Sequence, residues 1–146
     1  MNDAYHLQRF VDAQQPVFNQ VLDELKAGRK RSHWMWFVFP QIKGLGRSDM
    51  AQRYAISGLE EARAYLRHPV LGPRLEQCAR IIAPQVDRSA QQIFGSPDDL
   101  KLHSSMTLFA AAAPEREVFR EVLDTFFDGT PDAMTLEKLQ ALPNRP

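Results

Sequence analysis

The sequence is short of the residues that define several classes of protein. It contains one cysteine, Cys78, so no intramolecular disulfide can form, which is typical of a reducing compartment. Its longest apolar runs are about seven residues, whereas a membrane-spanning helix needs roughly 20. Its N-terminal residues lack the basic start and apolar stretch of a secretory signal. These absences predict a cytoplasmic protein that does not enter a membrane.

The chain also lacks net charge, since 18 Lys and Arg residues balance 18 Asp and Glu residues. General nucleic-acid binding is therefore not expected, because domains that bind polyanions are usually basic overall. A zinc site needs three or four convergent ligands. The four histidines and single cysteine form neither an HExxH nor a CxxC spacing. The sequence predicts no metal and no other cofactor.

Alternation of apolar and polar residues is missing as well, whereas apolar spacings of three and four recur along the chain. The stretch PVFNQVLDELKAG has this helical spacing, with Pro16 suited to a first turn and Gly28 to a C-terminal cap. Ser48 and Ser96 are expected to cap two later helices, with Pro97 at the first helical position. At 146 residues, the sequence predicts an all-α, compact single domain spanning residues 1–146, with about seven or eight short helices.

One stretch, RKRSHWMWFVFPQIKGLGRS at residues 29–48, differs from the rest. It holds both tryptophans and an unbroken apolar run over residues 34–40, which predicts a buried aromatic segment. Periodicity does not decide between a short buried helix and an extended segment. Trp34 and Trp36 would share a face of a strand, but in a helix they would lie about 200° apart, so at most one could line a site.

Positive charge is concentrated around this run. Residues 26–47 contain six cations and no carboxylate, whereas seven acids outnumber four cations from residue 110 onward. The glycine-containing loop that follows leads to the helix capped by Ser48, and helix N-termini favour anions. Tryptophan rings stack on flat ligands. The combination predicts a phosphorylated, nucleotide-like ligand, although GLGRS matches neither the Walker nor the dinucleotide spacing.

A second group of polar residues occurs in the stretch DDLKLHSSMTLFAAAA. Asp98, Lys101 and Ser105 are spaced by three and four residues, so they share one helical face. Small hydroxyls beside a lysine and an aspartate could line a polar pocket. The alternative is an exposed face with an Asp–Lys pair that contributes little to stability.

The hypothesis that joins both groups is a binder or hydrolase-type enzyme for a small phosphorylated ligand. A histidine near neutrality or a carboxylate would act as acid or base. The candidate catalytic residues are His33, Asp98 and Lys101. The candidate ligand-binding residues are Lys30, Ser32, Trp34, Trp36, Gln41, Gly44, Gly46, Arg47, Ser48, Ser104 and Ser105.

Three other interpretations stay open. The aromatic residues could be core, with the cations as solvated flanks. The exposed part of the run could anchor a non-enzymatic protein-interaction module, since Trp and Arg dominate interface hot spots. The same basic and aromatic residues could bind single-stranded nucleic acid, which the overall neutrality disfavours.

Three segments closely resemble the bacterial and fungal family called domain of unknown function 1810: GRKRSHWMWFVFPQIKGLGRS, YAISGLEEARAYLRHPVLGPRL and IFGSPDDLKLHSSMTLF. The resemblance covers roughly residues 5–127 and implies a small, mostly helical protein, but no settled activity and no catalytic residues. Some members carry a calpastatin label, which the capped helices and 10% aromatic content argue against, because calpastatin-type inhibitors are largely disordered. A looser similarity to the helical NADAR family implies an ADP-ribosyl ligand.

Overall fold

The computed structural model describes residues 3–141, and this part of the chain forms ten α-helices joined by short turns. No helix among these residues has the length and apolar character to cross a membrane. The all-α prediction is confirmed. The helices are α1 (Gln8–Gln14), α2 (Phe18–Ala27), α3 (Met35–Val38), α4 (Asp49–Arg53), α5 (Leu59–Arg67), α6 (Leu71–Ile82), α7 (Ala90–Phe94), α8 (Asp98–Ala112), α9 (Glu117–Phe127) and α10 (Ala133–Ala141).

The helix count is higher than the sequence predicts because α3 and α7 have only four and five residues. A helix this short spans little more than one turn, so an apolar stripe with a period of 3.6 residues cannot show in the sequence. Such short helices are marginal by themselves and depend on tertiary packing.

Two of the predicted helix ends are confirmed. Gly28 follows α2 in the left-handed region at φ 71°, where glycine carries no steric penalty. Ser48 caps α4, and its hydroxyl accepts a hydrogen bond from the Ala51 N–H. The prediction for Ser96 was wrong, because α8 begins at Asp98 and Pro97, with ψ 12°, occupies the flanking position. Two aspartates in the first turn favour that end of α8 electrostatically.

Helix α8 lies in the centre of the fold, packed against α5, α7, α9 and α10. Its buried residues point in all directions around the helix axis, and they include the hydroxyl residues Ser104, Ser105 and Thr107. A helix that is surrounded by protein has no solvated face to offer. The polar side that the sequence indicates on this helix is therefore largely internal.

The predicted buried aromatic segment is confirmed and forms part of a continuous core. Its central part is helical, since α3 covers residues 35–38. Phe39 lies edge-on to Phe94 of α7, with ring centroids 5.8 Å apart. Edge-to-face aromatic pairs of this kind stabilise a core beyond their buried area.

After the aromatic segment the chain makes a small closed loop. Ile42 and Ile56 form a parallel bridge, in which the Lys43 N–H donates to the Ile56 carbonyl and the Ile56 N–H donates to the Gln41 carbonyl, both at 2.8 Å. The bridge holds the two ends of the loop together, with α4 between them. This loop forms one wall of the cavity described next.

Candidate functional site

A cavity of about 660 Å³ lies between the closed loop, α1 and the first turn of α5. It has the size of a small-molecule site. Five of the predicted ligand-binding residues line it, namely Trp36, Gln41, Gly44, Gly46 and Arg47. The other lining residues are Arg9, Ile42, Lys43, Ala51, Gln52, Tyr54, Ala55, Ser57 and Glu61.

The two tryptophans have different surroundings. Trp34 is 1% exposed and its indole N–H donates to Glu24 at 2.9 Å, so its ring is part of the core and cannot stack on a ligand. Trp36 is only partly buried and lines the cavity. Trp34 precedes α3 with a non-helical backbone (φ −132°, ψ 6°), whereas Trp36 lies within α3, so the two side chains enter different surroundings. Of the two predicted stacking residues, the structure leaves Trp36.

Glu24 organises the chain that leads into the aromatic segment. One carboxylate oxygen accepts from the Arg31 N–H at 2.8 Å, the Ser32 N–H at 3.1 Å and the Trp34 indole. The other accepts from the Ser32 hydroxyl at 2.6 Å and the Gln20 amide at 3.1 Å. Ser32, a predicted ligand-binding residue, is thus bound to Glu24.

Burial by itself would raise the pKa of the Glu24 carboxyl, which is 7% exposed. The hydrogen bonds from Ser32, Arg31 and Trp34 stabilise the charged form more strongly, and they lower the pKa from 4.5 to about 2. Glu24 is therefore ionised at neutral pH. It supplies the buried negative charge beside a stretch of sequence that holds six cations and no carboxylate.

Asp98 links the two tryptophans through two lysines. Lys30 donates to one Asp98 oxygen at 2.8 Å, and its Nζ lies 5.0 Å from the centre of the Trp34 ring. Lys101 is 3.3 Å from the other oxygen, and its Nζ lies 4.9 Å from the centre of the Trp36 ring. Both contacts are within the range of cation–π attraction. The structure thus brings Lys30, Asp98 and Lys101 together, beside the cavity and not among its lining residues.

The remaining predicted site residues lie elsewhere. His33 is exposed and is not part of the cavity wall. Ser104 donates to the Leu100 carbonyl and to Asp132, which precedes α10. Ser105 is fully buried, and its hydroxyl has no hydrogen-bond partner among residues 3–141. The central position of α8 explains why neither serine reaches the cavity.

The glycines of the loop are required by its own packing. A Cβ at Gly46 would lie 2.5 Å from the Ala51 Cβ on α4, so a larger residue would displace the helix from the loop. Gly44 has φ 98°, a conformation that residues with a side chain rarely adopt. The Ser48 hydroxyl is engaged with Ala51. Gly44, Gly46 and Ala51 form part of the cavity wall, whereas Ser48 does not line it.

The floor of the cavity contains an ion pair that sequence reasoning missed. Arg9 of α1 lies 3.2 Å from Glu61 of α5, and its other N–H groups donate to carbonyls that include those of Arg53 and Ala55. Glu61 also accepts from the N–H and hydroxyl of Ser57. Arg9 and Glu61 are 52 residues apart, so no local spacing could have indicated the pair.

The charges in the cavity are unbalanced. Glu61 offsets Arg9, whereas Lys43 and Arg47 form no ion pair within residues 3–141. The lining residues therefore carry two positive charges in excess. No group of three His, Cys, Asp or Glu residues that could hold a metal ion occurs in this part of the chain. The arrangement suits a small anion with an aromatic surface.

Comparison with known proteins identifies relatives of this chain. No curated protein matches it. The conserved hypothetical protein Rv1873 from Mycobacterium tuberculosis has a crystal structure that matches with a TM-score of 0.93 and 53% sequence identity, covering 96% of this chain and 100% of that one. Residues 4–139 match the family described as protein of unknown function, DUF1810. The predicted resemblance is confirmed, and the chain belongs to the DUF1810 family.

Proposed function

We propose that the cavity beside Trp36 binds a small phosphorylated ligand with a flat aromatic part, such as a nucleotide. The observation that carries the proposal is the meeting of the Trp36 ring, Lys43 and Arg47 in one cavity. Aromatic rings stack on bases, and an arginine guanidinium forms paired hydrogen bonds with phosphate oxygens. The cavity volume of about 660 Å³ is sufficient for a mononucleotide.

Each part of the ligand has a partner in this arrangement. Lys101 lies over the Trp36 ring, so the ligand would stack on the part of the ring that faces the cavity. Arg47 and Lys43 would hold the phosphate, because Glu61 already offsets Arg9. The side chains of Gln41 and Ser57 line the same cavity and could hydrogen-bond to a ribose or a base edge.

The proposal covers binding and not hydrolysis. The candidate catalytic residues His33, Asp98 and Lys101 are not among the residues that line the cavity. Asp98 is instead engaged in ion pairs with Lys30 and Lys101. An interaction module would need an exposed aromatic patch, whereas only Trp36 among the aromatic residues at positions 34–39 is not buried.

Thermal unfolding in the presence of ligands tests the proposal. The ligands are AMP, ATP, NAD, ADP-ribose, adenine and inorganic phosphate. A ligand at about 100 times its dissociation constant stabilises the folded state by roughly 2.7 kcal/mol, which raises Tm by several degrees in a domain of this size. We expect a nucleotide to raise Tm more than either adenine or phosphate alone.

Two variants locate the binding site. Arg47→Gln and Trp36→Leu should each reduce the ligand-dependent rise in Tm to less than half. Arg53→Gln is the matched control, because Arg53 lies on α4, is exposed and is not part of the cavity wall. The proposal fails if no nucleotide raises Tm, or if Arg47→Gln behaves like Arg53→Gln.

A further inference from the structure

A second, open groove of about 620 Å³ lies at the other end of α5, where α5 is followed by α6. Three arginines line it, Arg67 at the end of α5, Arg80 on α6 and Arg116 immediately before α9. The acidic residue in the groove wall is Glu76. None of these residues lines the cavity beside Trp36.

Glu76 uses both of its carboxylate oxygens within the groove. One oxygen accepts from Arg80 at 3.1 Å, and the other accepts from Arg116. The Arg67 side chain forms no hydrogen bond and no ion pair with any residue in the described part of the chain. Three cations against one carboxylate leave two positive charges in excess.

The arginines also retain unused donors. A guanidinium has five N–H donors. Arg80 and Arg116 each direct one guanidinium nitrogen at Glu76. Within residues 3–141 the other guanidinium nitrogens of these two arginines make no hydrogen bond. Arginine is favoured where phosphate or carboxylate must be held by paired hydrogen bonds. The groove therefore offers several guanidinium edges to one anion.

His68 lies in the groove wall at the junction of α5 and α6. Its Nδ1 accepts from the Val70 N–H at 3.1 Å and the Leu71 N–H at 3.3 Å, at the start of α6. A ring nitrogen that accepts two hydrogen bonds carries no proton, so the neutral imidazole has its N–H at Nε2. His68 is among the residues that line the groove.

We infer that this groove binds a phosphate monoester as its dianion. The two excess charges match the charge of the dianion, and a phosphate group has three oxygens that can accept from donors in different directions. A planar carboxylate has two oxygens and one charge. The groove wall contains no aromatic ring other than His68, so the recognised part of the ligand is the phosphate group itself.

Calorimetric titration of the full chain with glycerol phosphate tests the inference. We expect saturable binding that weakens roughly three- to tenfold in Arg67→Gln, and more in the double variant Arg67→Gln with Arg116→Gln. Arg67 has no protein partner among the described residues, so its replacement should leave the fold intact. Arg120→Gln is the matched control, because Arg120 is exposed on α9 and lies outside the groove.

Two further arms separate the alternatives. Arg47→Gln should leave the affinity for glycerol phosphate unchanged, because Arg47 is not part of the groove. A loss of affinity in Arg47→Gln would instead assign the binding to the cavity beside Trp36. Succinate tests the ligand class, since it is a dianion built from two carboxylates. The inference is overturned if Arg67→Gln binds glycerol phosphate like Arg120→Gln, or if succinate binds as tightly.

Discussion

Trp34 and Trp36 are separated by one residue and have opposite roles in the structure. Trp34 is 1% exposed and donates to the buried carboxylate of Glu24, so every polar atom of its side chain is satisfied inside the protein. Trp36 is partly exposed at a cavity whose two unpaired cations have no acidic partner among the described residues. The same residue type thus serves the core at one position and is available to a ligand at the other.

Each tryptophan is in contact with a lysine, and both lysines share Asp98. Asp98 therefore connects the core side with the cavity side. The core side is closed by hydrogen bonds to Glu24, whereas the cavity side keeps excess positive charge. The following predictions test that division, beginning with the largest expected effect.

Replacement of each tryptophan by alanine should separate stability from binding. Trp34→Ala is expected to lower the free energy of unfolding by about 3–5 kcal/mol, because it empties a fully buried site and removes one of the donors to Glu24. Trp36→Ala should cost only about 1 kcal/mol and should abolish nucleotide-dependent stabilisation. Urea unfolding of both variants provides the measurement, and equal losses of stability would break the comparison.

The Glu24 carboxylate should make the core side sensitive to acid. Its pKa is lowered in the folded protein to about 2 from 4.5, so its stabilising effect is complete above pH 4.5 and is lost as the pH falls toward 2. The full effect is about 3 kcal/mol. Urea unfolding at several pH values between 2 and 6 should show a shallower decline in Glu24→Gln than in the wild type.

A matched variant isolates this effect from the titration of other acids. Glu117 is exposed on α9, so Glu117→Gln should keep the wild-type dependence of stability on pH. If Glu24→Gln and Glu117→Gln declined in parallel, the hydrogen bonds to Glu24 would not be the source of acid sensitivity.

A smaller effect is expected at the polar residues of α8 that hold α10. Asp132 accepts from the N–H and hydroxyl of Thr135 at 3.0 and 2.6 Å and from Ser104 at 3.3 Å, so it caps α10 and joins it to α8. Asp132→Ala should cost about 1 kcal/mol of stability and leave nucleotide binding unchanged. Thermal unfolding checks this, with the exposed Asp23→Ala as a control near zero.

A change in nucleotide affinity in Asp132→Ala would mean that this part of α8 belongs to the binding site after all. Ser104 and Ser105 would then regain the role that their spacing beside Lys101 predicts. The structure assigns Ser104 to the contact with Asp132 and places Ser105 inside the core.

Local patterns in the sequence were sufficient for the longer helices and for two of the helix ends. Gly28 and Ser48 act on backbone groups within a few residues of themselves, so their roles could be predicted without knowledge of the fold. The burial of the aromatic segment followed from its uniform apolar character. Of the predicted cations Lys30 and Arg47, the structure places Arg47 in the wall of the cavity beside Trp36, whereas Lys30 pairs with Asp98 outside that wall.

Only the tertiary structure decided which residues meet. The contacts of Lys30 with Asp98 and of Arg9 with Glu61 join distant parts of the chain, and their formation depends on how the helices pack. Helical packing also placed α8 in the centre, which buried the serines that the sequence had offered as a polar face. The sequence by itself determined the all-α class, the helix ends at Gly28 and Ser48, and the basic aromatic segment, because those depend on short-range backbone and burial effects. The distinction between Trp34 and Trp36 required the position of Glu24, since a carboxylate ten residues away on another helix decides which ring is held in the core.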